Sequence, residues 1–377
     1  MKFYMPARLY QEPEAVRRHG REISGLGRKA LLVTGACSAK KNGAQADLLA
    51  VLTDAGVDYL VFDEVEENPS TETVMRACQS ARAAGCDFVV GIGGGSPLDA
   101  AKAIALMLAH PDWGEEKLYE KGPDSRRLPL VCIPTTCGTG SELTGVAVLT
   151  RRARGLKGSI PYSLFPDLAL VDGKYLAYAP KRLIANTATD ALAHLIEAYA
   201  NRRADDYSRM LVDEGMTVWA ENKDFLLGEE EASPRRYDRL MLASSLAGMS
   251  IAQSGTTLPH GLSYQLTLEG GIPHGAAVGY FQAAYLEACD RRTQDHLLEM
   301  AGFESPEELN DFFRKICRWP EVSQELLEDC LAAVKKTPAK LDLCPFDVNE
   351  EVLRRIAGLD KGEKDGAKKL HDNPLLS

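Results

Sequence analysis

The sequence predicts a chain of two unlike halves, an α/β half built on a parallel sheet and then a body of helices. Three observations carry this. Up to about residue 180, short apolar runs bounded by glycine and proline alternate with helix-period stretches, the pattern of a parallel sheet with crossover helices. One apolar run, 88–92, empties into Gly93-Gly94-Gly95 and straight into an apolar-periodic helix. Beyond Pro180 helical periodicity dominates. We place the boundaries at 1–179 for the α/β domain, 180–360 for the helical domain and 361–377 for a charged, glycine-containing loose tail.

In chain order, residues 29–34 predict a buried strand that Gly35 ends. A loop through Ser38, Lys40, Lys41 and Gly43 leads to a helix around 44–55. The second strand, 59–62, is followed by an acidic turn and Asn68-Pro69-Ser70, and 71–84 predicts a helix. After the third strand, Ser96 is the expected N-cap and Pro97 suits the first helical position. Three glycines let the backbone approach a bulky anion while the N–H groups and positive end of the helix face it, so Gly93, Gly94, Gly95 and Ser96 form a pyrophosphate cradle. A bare strand-to-helix turn needs only one glycine or two. The strand 130–134 runs into Thr135-Thr136-Cys137-Gly138-Thr139-Gly140-Ser141-Glu142, whose hydroxyls suit a nucleotide or, alternatively, local turn bonds. Residues 146–149 and 168–171 are read as strands of a hairpin beyond the main sheet. Helices are expected at 207–222, 237–253 and 282–289, and again after Ser305.

The stretch 186–279 holds the chemistry. Asp190 and His194 are four apart in a helical run, so both leave one face a turn apart. His260 and His274 follow, each in a Pro-His-Gly frame. One carboxylate and three imidazoles suit Fe²⁺, Zn²⁺ or Mn²⁺. Taken singly, each could be an ordinary core or capping residue; with only seven histidines in the chain, three in this arrangement favour a metal centre. Glu197 shares the helix face and would orient an imidazole or cap a helix contact. His19, His110, His296 and His371 show no partner and are read as surface residues.

Composition narrows the function. A hydrophobic content of 45% with 26% charged residues is that of a soluble globular protein. A net charge of −10 argues against nucleic acid and anionic membranes. No apolar run is long enough to span a bilayer, and the first residues lack a signal-peptide core. Nine scattered cysteines without a Cys-x-x-Cys pair read as reduced thiols in a cytoplasm. No Gly-x-x-x-x-Gly-Lys-[Ser/Thr] motif occurs, so a metal and a nucleotide in one cleft point to redox chemistry over phosphoryl transfer. The ion would act as a Lewis acid on a substrate oxygen while hydride passes between nicotinamide and the adjacent carbon.

On these residues the chain resembles the iron-containing (group III) alcohol dehydrogenases over nearly its whole length. Gly93-Gly94-Gly95-Ser96-Pro97-x-Asp99 is similar to the family's pyrophosphate loop, and 134–142, with Thr135, Thr136, Thr139 and Ser141, to its second cofactor loop. Asp190-Ala191-Leu192-x-His194-x-x-Glu197, with His260 and His274, is similar to its metal site. Val33-Thr34-Gly35, Lys40-Lys41-Asn42-Gly43 and Thr256-Thr257-Leu258-x-His260 are close to the 1,3-propanediol-dehydrogenase-like branch. The resemblance implies a Rossmann-like N-terminal domain and an all-α metal-binding C-terminal domain, the architecture shared with dehydroquinate synthases. It also implies a catalytic iron, with zinc as the alternative, and a homodimer. Asn68, Pro69 and Lys157 join the implied cofactor contacts, Lys157 near the nicotinamide ribose.

Two departures matter. Many members carry a further histidine four residues after the third ligand; here Tyr264 stands there, to hydrogen-bond substrate or to pack. A generic reading gives Asp63 to the ribose and predicts NAD. The resemblance moves that role to Gly35, which offers no carboxylate, while Ser38, Lys40 and Lys41 suit a 2′-phosphate, so NADP(H) is favoured over NAD(H). The expected activity is a metal-dependent, NAD(P)-linked alcohol dehydrogenase or aldehyde reductase acting on short primary alcohols, diols or aldehydes. The competing readings are a carbon–oxygen lyase of the dehydroquinate-synthase type and a non-catalytic nucleotide-binding protein with a structural metal.

Overall fold

The computed structural model describes residues 1, 3–122 and 124–360; the expected tail and His371 lie outside the described residues. Its strands are β1 (Arg8–Gln11), β2 (Lys29–Thr34), β3 (Asp58–Phe62), β4 (Phe88–Gly93), β5 (Leu130–Pro134), β6 (Val148–Arg151), β7 (Leu156–Ser159) and β8 (Leu168–Val171). Six form one sheet in the order β1-β8-β5-β4-β2-β3. All of its pairings are parallel. Central strands β4 and β5 are buried at every residue, which is why they read as continuous apolar runs.

Register decides where a ligand can sit. Thr34 pairs with Ile92 and Gly93 with Pro134, so the loops opening at Gly35, Gly94 and Thr135 leave one edge of the sheet together. Strand order reverses between β2 and β4, and in open α/β sheets the crevice at such a reversal is the ligand site.

Several expectations are corrected. Leu168–Val171 belongs to the main sheet, between β1 and β5, and the separate hairpin is β6 with β7. Its four residues are all buried, but the pairing partners are distant in sequence. β1 was not expected, because Arg8-Leu9-Tyr10-Gln11 is a partly exposed edge strand with no apolar run. Ser38–Lys41 is one turn of helix, not loop. The helix after β4 starts at Gly95 with Gly94 as its cap residue, and Ser96 instead turns its hydroxyl to accept from the Asn68 N–H at 3.1 Å.

From Lys181 onward the described regular elements are all helices. Pro234–Ser254 and Pro306–Cys317 begin at serine caps followed by proline, and Asp206–Ala220 at an aspartate capping box. The helix expected at 282–289 is His274–Glu287; the glycines near its start hid the true beginning. One large apolar core joins these helices. Trp219 sits in it, its indole N–H donating to the Ala188 carbonyl at 2.7 Å. Among the described residues no helix is long and apolar enough to cross a membrane.

Candidate active site between the sheet edge and the helices

Three helices bring the four ligand candidates together. Lys181–Tyr199 carries Asp190, His194 and Glu197 along one buried stripe. Leu258–Leu268 has Pro259 in its first turn and places His260 next to it, with Tyr264 one turn on. His274 opens His274–Glu287. Close approach of the first and third helices depends on glycine: a Cβ on Gly275 would lie 1.8 Å from the Asn186 carbonyl oxygen, and one on Gly279 would lie 2.6 Å from Thr189 Cγ2.

Asp190 Oδ1 lies 3.4 Å from His260 Nε2 and 3.8 Å from His274 Nε2. One ligand atom from each of these residues falls within 4.8 Å of the other two. These separations are long for hydrogen bonds, whereas donors about 2.1 Å from one tetrahedral ion sit about 3.4 Å apart. Asp190 Oδ1 and His260 Nε2 are buried and make no hydrogen bond among the described residues. Such orphans cost about 1–3 kcal/mol each, a cost a shared cation removes. The residues therefore fit a divalent metal. His194 stands beside this tight group: its ring stacks on His260 with centroids 4.4 Å apart, and Nδ1 lies 3.3 Å from the Gly138 carbonyl oxygen. With its proton on Nδ1, His194 keeps a free Nε2 lone pair.

Glu197 is placed on an imidazole. Its Oε1 accepts from His260 Nδ1 at 2.6 Å and from Gln282 Nε2 at 2.7 Å; its Oε2 accepts the Thr257 N–H at 2.6 Å. Burial alone would raise this carboxyl, but the charge and hydrogen bond of His260 outweigh it and hold it at about 2. Burial would lower His260, and Glu197 instead lifts it to about 9. Burial pulls His194 down to about 4 and His274 to about 3, keeping both neutral, the form that binds metal. Burial pushes Asp190 up, yet the neighbouring imidazoles His194 and His274 hold it well below the usual carboxylate range.

A cleft of about 360 Å³ opens onto this group. Of the expected cofactor residues, Asn68, Pro69, Gly95, Ser96, Asp99, Thr139, Ser141 and Lys157 line it. Gly35, Ser38, Lys40, Gly93, Gly94, Thr135 and Thr136 are not in its lining; they sit in or beside the loops at the ends of β2, β4 and β5. Gly93 has φ +147°, and a Cβ on Gly95 would come 2.7 Å from Thr139 Cγ2, so the two glycine-rich loops are packed on each other. Asn68 takes a left-handed backbone (φ 57°), tolerated by asparagine, and its Oδ1 accepts from Lys157 Nζ at 2.7 Å. Asp99 accepts from Ser141 Oγ at 2.6 Å and from the Val148 N–H at 2.9 Å, tying both glycine-rich loops to the hairpin. Lys40 is held by Asp63 at 2.5 Å. Tyr264 faces the cleft between His274, whose ring is 6.3 Å away, and Lys157, 5.5 Å from its centroid.

Sequence reasoning missed Lys102 and Lys340. Lys102 is fully buried and donates to Ser141 Oγ at 2.7 Å and Val146 O at 2.7 Å. Its signal was a lone cation three residues after Asp99 in an apolar helix. Lys340, in the cleft wall, had no signal at all. Among the described residues the remaining histidines do have partners. His19 contacts Glu12 at 2.8 Å, His296 contacts Asp213 at 2.7 Å, and His110 is buried with Nε2 3.1 Å from Arg126 O.

Comparison with known proteins agrees in both halves. The profile of iron-containing alcohol dehydrogenases matches residues 6–173, and that of the family's C-terminal region matches 184–359. Probable alcohol dehydrogenase EutG of Escherichia coli (strain K12) is 33% identical over 276 residues, 73% of this chain and 70% of EutG. NADPH-dependent butanol dehydrogenase of Clostridium saccharobutylicum is 27% identical over 352 residues, 91% of this chain and 85% of that protein. A solved iron-containing alcohol dehydrogenase from Thermotoga maritima superposes with a TM-score of 0.87 at 37% identity, covering 94% of this chain and 98% of that one. Matching patterns on both sides of the cleft, and a shared fold around it, mean that the chain is an oxidoreductase and belongs to the iron-containing alcohol dehydrogenase family.

Proposed function

We propose that this protein is an iron-dependent, NADP(H)-preferring dehydrogenase that interconverts short primary alcohols or diols with their aldehydes, in the cytoplasm and as a homodimer. The observation that carries the reading is one cleft lined both by the buried Asp190 and His260 with the half-buried His274 and by the Gly95-Ser96 helix start. When bound, iron supplies Lewis acidity at the substrate oxygen and the nicotinamide supplies or takes up hydride. The chain's own residues do the rest. Glu197 holds the Nδ1 proton of His260, and Gly138 that of His194, so that each ring turns Nε2 inward. The Gly95–Ala109 helix offers its N–H groups to a pyrophosphate. Tyr264 packs over His274 and keeps water from that side of the cleft.

Coenzyme choice rests on Gly35, Ser38 and the lysines after β2, and the relative named for NADPH and butanol agrees with it. Homodimer formation is supported by the open edge at β1, with Phe3, Tyr207 and Met210 exposed. The nine cysteines are all free, as in a reducing compartment.

The test is direct. Anaerobically purified protein with Fe²⁺, NADPH and a panel of short aldehydes is expected to consume the reduced-nicotinamide absorbance band. No turnover across the panel, with either coenzyme, would remove the proposal. For coenzyme choice, a Cβ at Gly35 meets only Val65 O at 3.3 Å, so Gly35→Asp fits with a small adjustment. It is expected to move the NADPH/NADH ratio of kcat/KM by about tenfold or more toward NADH, through like-charge repulsion of the 2′-phosphate. An unchanged ratio places that phosphate elsewhere.

A further inference from the structure

Lys340 lies on the short helix Pro338–Asp342 and forms part of the wall of the cleft that holds Asp190, His260 and His274. Its stem packs against the backbone next to His260: a Cβ on Gly261 would lie 3.3 Å from Lys340 Cγ. Its ammonium donates to the Thr256 carbonyl at 3.3 Å and to the Thr256 hydroxyl. Thr256 precedes Thr257, which Glu197 fixes through its N–H and hydroxyl, so the charge is anchored one residue from the carboxylate that orients His260.

Two features show that this cation is not spent within the fold. Among the described residues no carboxylate comes within 4.0 Å of Nζ. Glu197, whose field reaches it, is already committed to His260, Thr257 and Gln282. An ammonium offers three donors, and Thr256 takes two. The neighbouring wall is uncharged: Ile251, Gly255, Thr256, Ala339 and Leu343, with Leu343 Cδ1 at 3.4 Å from a Cβ built on Gly255. The cleft's acidic lining is Asp190, which belongs to the metal group, and Glu67 and Asp99, which belong to the cofactor side. A cation on an apolar wall, short of one acceptor, is costly until an anion meets it, and a charge-assisted hydrogen bond formed there is strong. Burial draws the amine down to about 8, so near neutrality it still carries most of its charge.

The geometry points to Lys340 as a specificity residue that binds the far-end carboxylate of a short ω-carboxy aldehyde, or of the corresponding ω-hydroxy acid, while the functional carbon faces the metal group. This rests on the dehydrogenase reading of the same cleft and names its substrate class.

The test compares 4-oxobutanoate with its methyl ester, which keeps the carbon chain of the acid but removes the charge, as aldehyde substrates for the iron-loaded protein with NADPH. The wild type is expected to prefer the carboxylate in kcat/KM. Lys340→Met is expected to lose about tenfold to hundredfold on the carboxylate, mostly in KM, the worth of one hydrogen bond to a charged group. On the ester it should change little, and Lys340→Arg should restore most of the preference. Equal losses on both substrates make Lys340 a structural residue and overturn the inference, as does a wild type that turns over the ester without preferring the acid. If the wild type reduces neither compound nor any other aldehyde, the dehydrogenase reading fails and takes this one with it.

Discussion

His194→Ala is expected to strip the protein of iron and to lower turnover by about a thousandfold or more, while NADPH binding persists. The size follows from the several kcal/mol of charge stabilisation that a bound metal contributes. The selectivity follows from position. His194 stands on the helical side, stacked on His260 and tied to the sheet side through the Gly138 carbonyl, whereas the glycine loop after β4 belongs wholly to the other half. Glu197→Gln gives a graded companion: it keeps the shape but weakens the hold on His260, and metal affinity should fall by about 10–100-fold. Iron content by elemental analysis and NADPH titration by fluorescence read the two quantities separately. Turnover retained in His194→Ala would take that imidazole out of the centre.

Gly275→Ala is expected to disturb both fold and centre, although alanine is the smallest possible addition and a better helix former than glycine. Helix propensity alone predicts a gain of about 1 kcal/mol. Packing predicts the opposite, because the new methyl would stand 1.8 Å from the Asn186 carbonyl oxygen. That is backbone, with no rotamer to yield, so two helices must separate at a cost of about 3 kcal/mol. The separation occurs one residue from His274 and one turn from Asp190, whose facing atoms are 3.8 Å apart. A lower thermal midpoint together with loss of iron is the expected result. A variant that is more stable and keeps its iron would show that the helices do not meet as described.

Much of the fold was legible because strands β2, β4 and β5 are buried on both faces and so spell continuous apolar runs. Where that signal fails, so did the reading. β1 is a half-exposed edge strand, and β8, though apolar, finds its partners at Arg8–Gln11 and Val131–Cys132, far away in sequence. Ser96 looked like a cap by type, but its hydroxyl serves Asn68, on a turn that local rules cannot join to it.

By itself the sequence determined the chemistry on offer. A carboxylate and an imidazole share one helix face at Asp190 and His194, two further imidazoles are framed by proline and glycine, and a glycine run leads from a strand into a helix start. These are consequences of local geometry, written in spacing. Only the tertiary structure decided which of these groups meet, that Glu197 rather than water holds His260, and that Lys340 adds a charge to the cleft wall. Helix period places a side chain on a face. It carries no information about which distant backbone that face will touch, and here glycine contacts and buried packing make that choice.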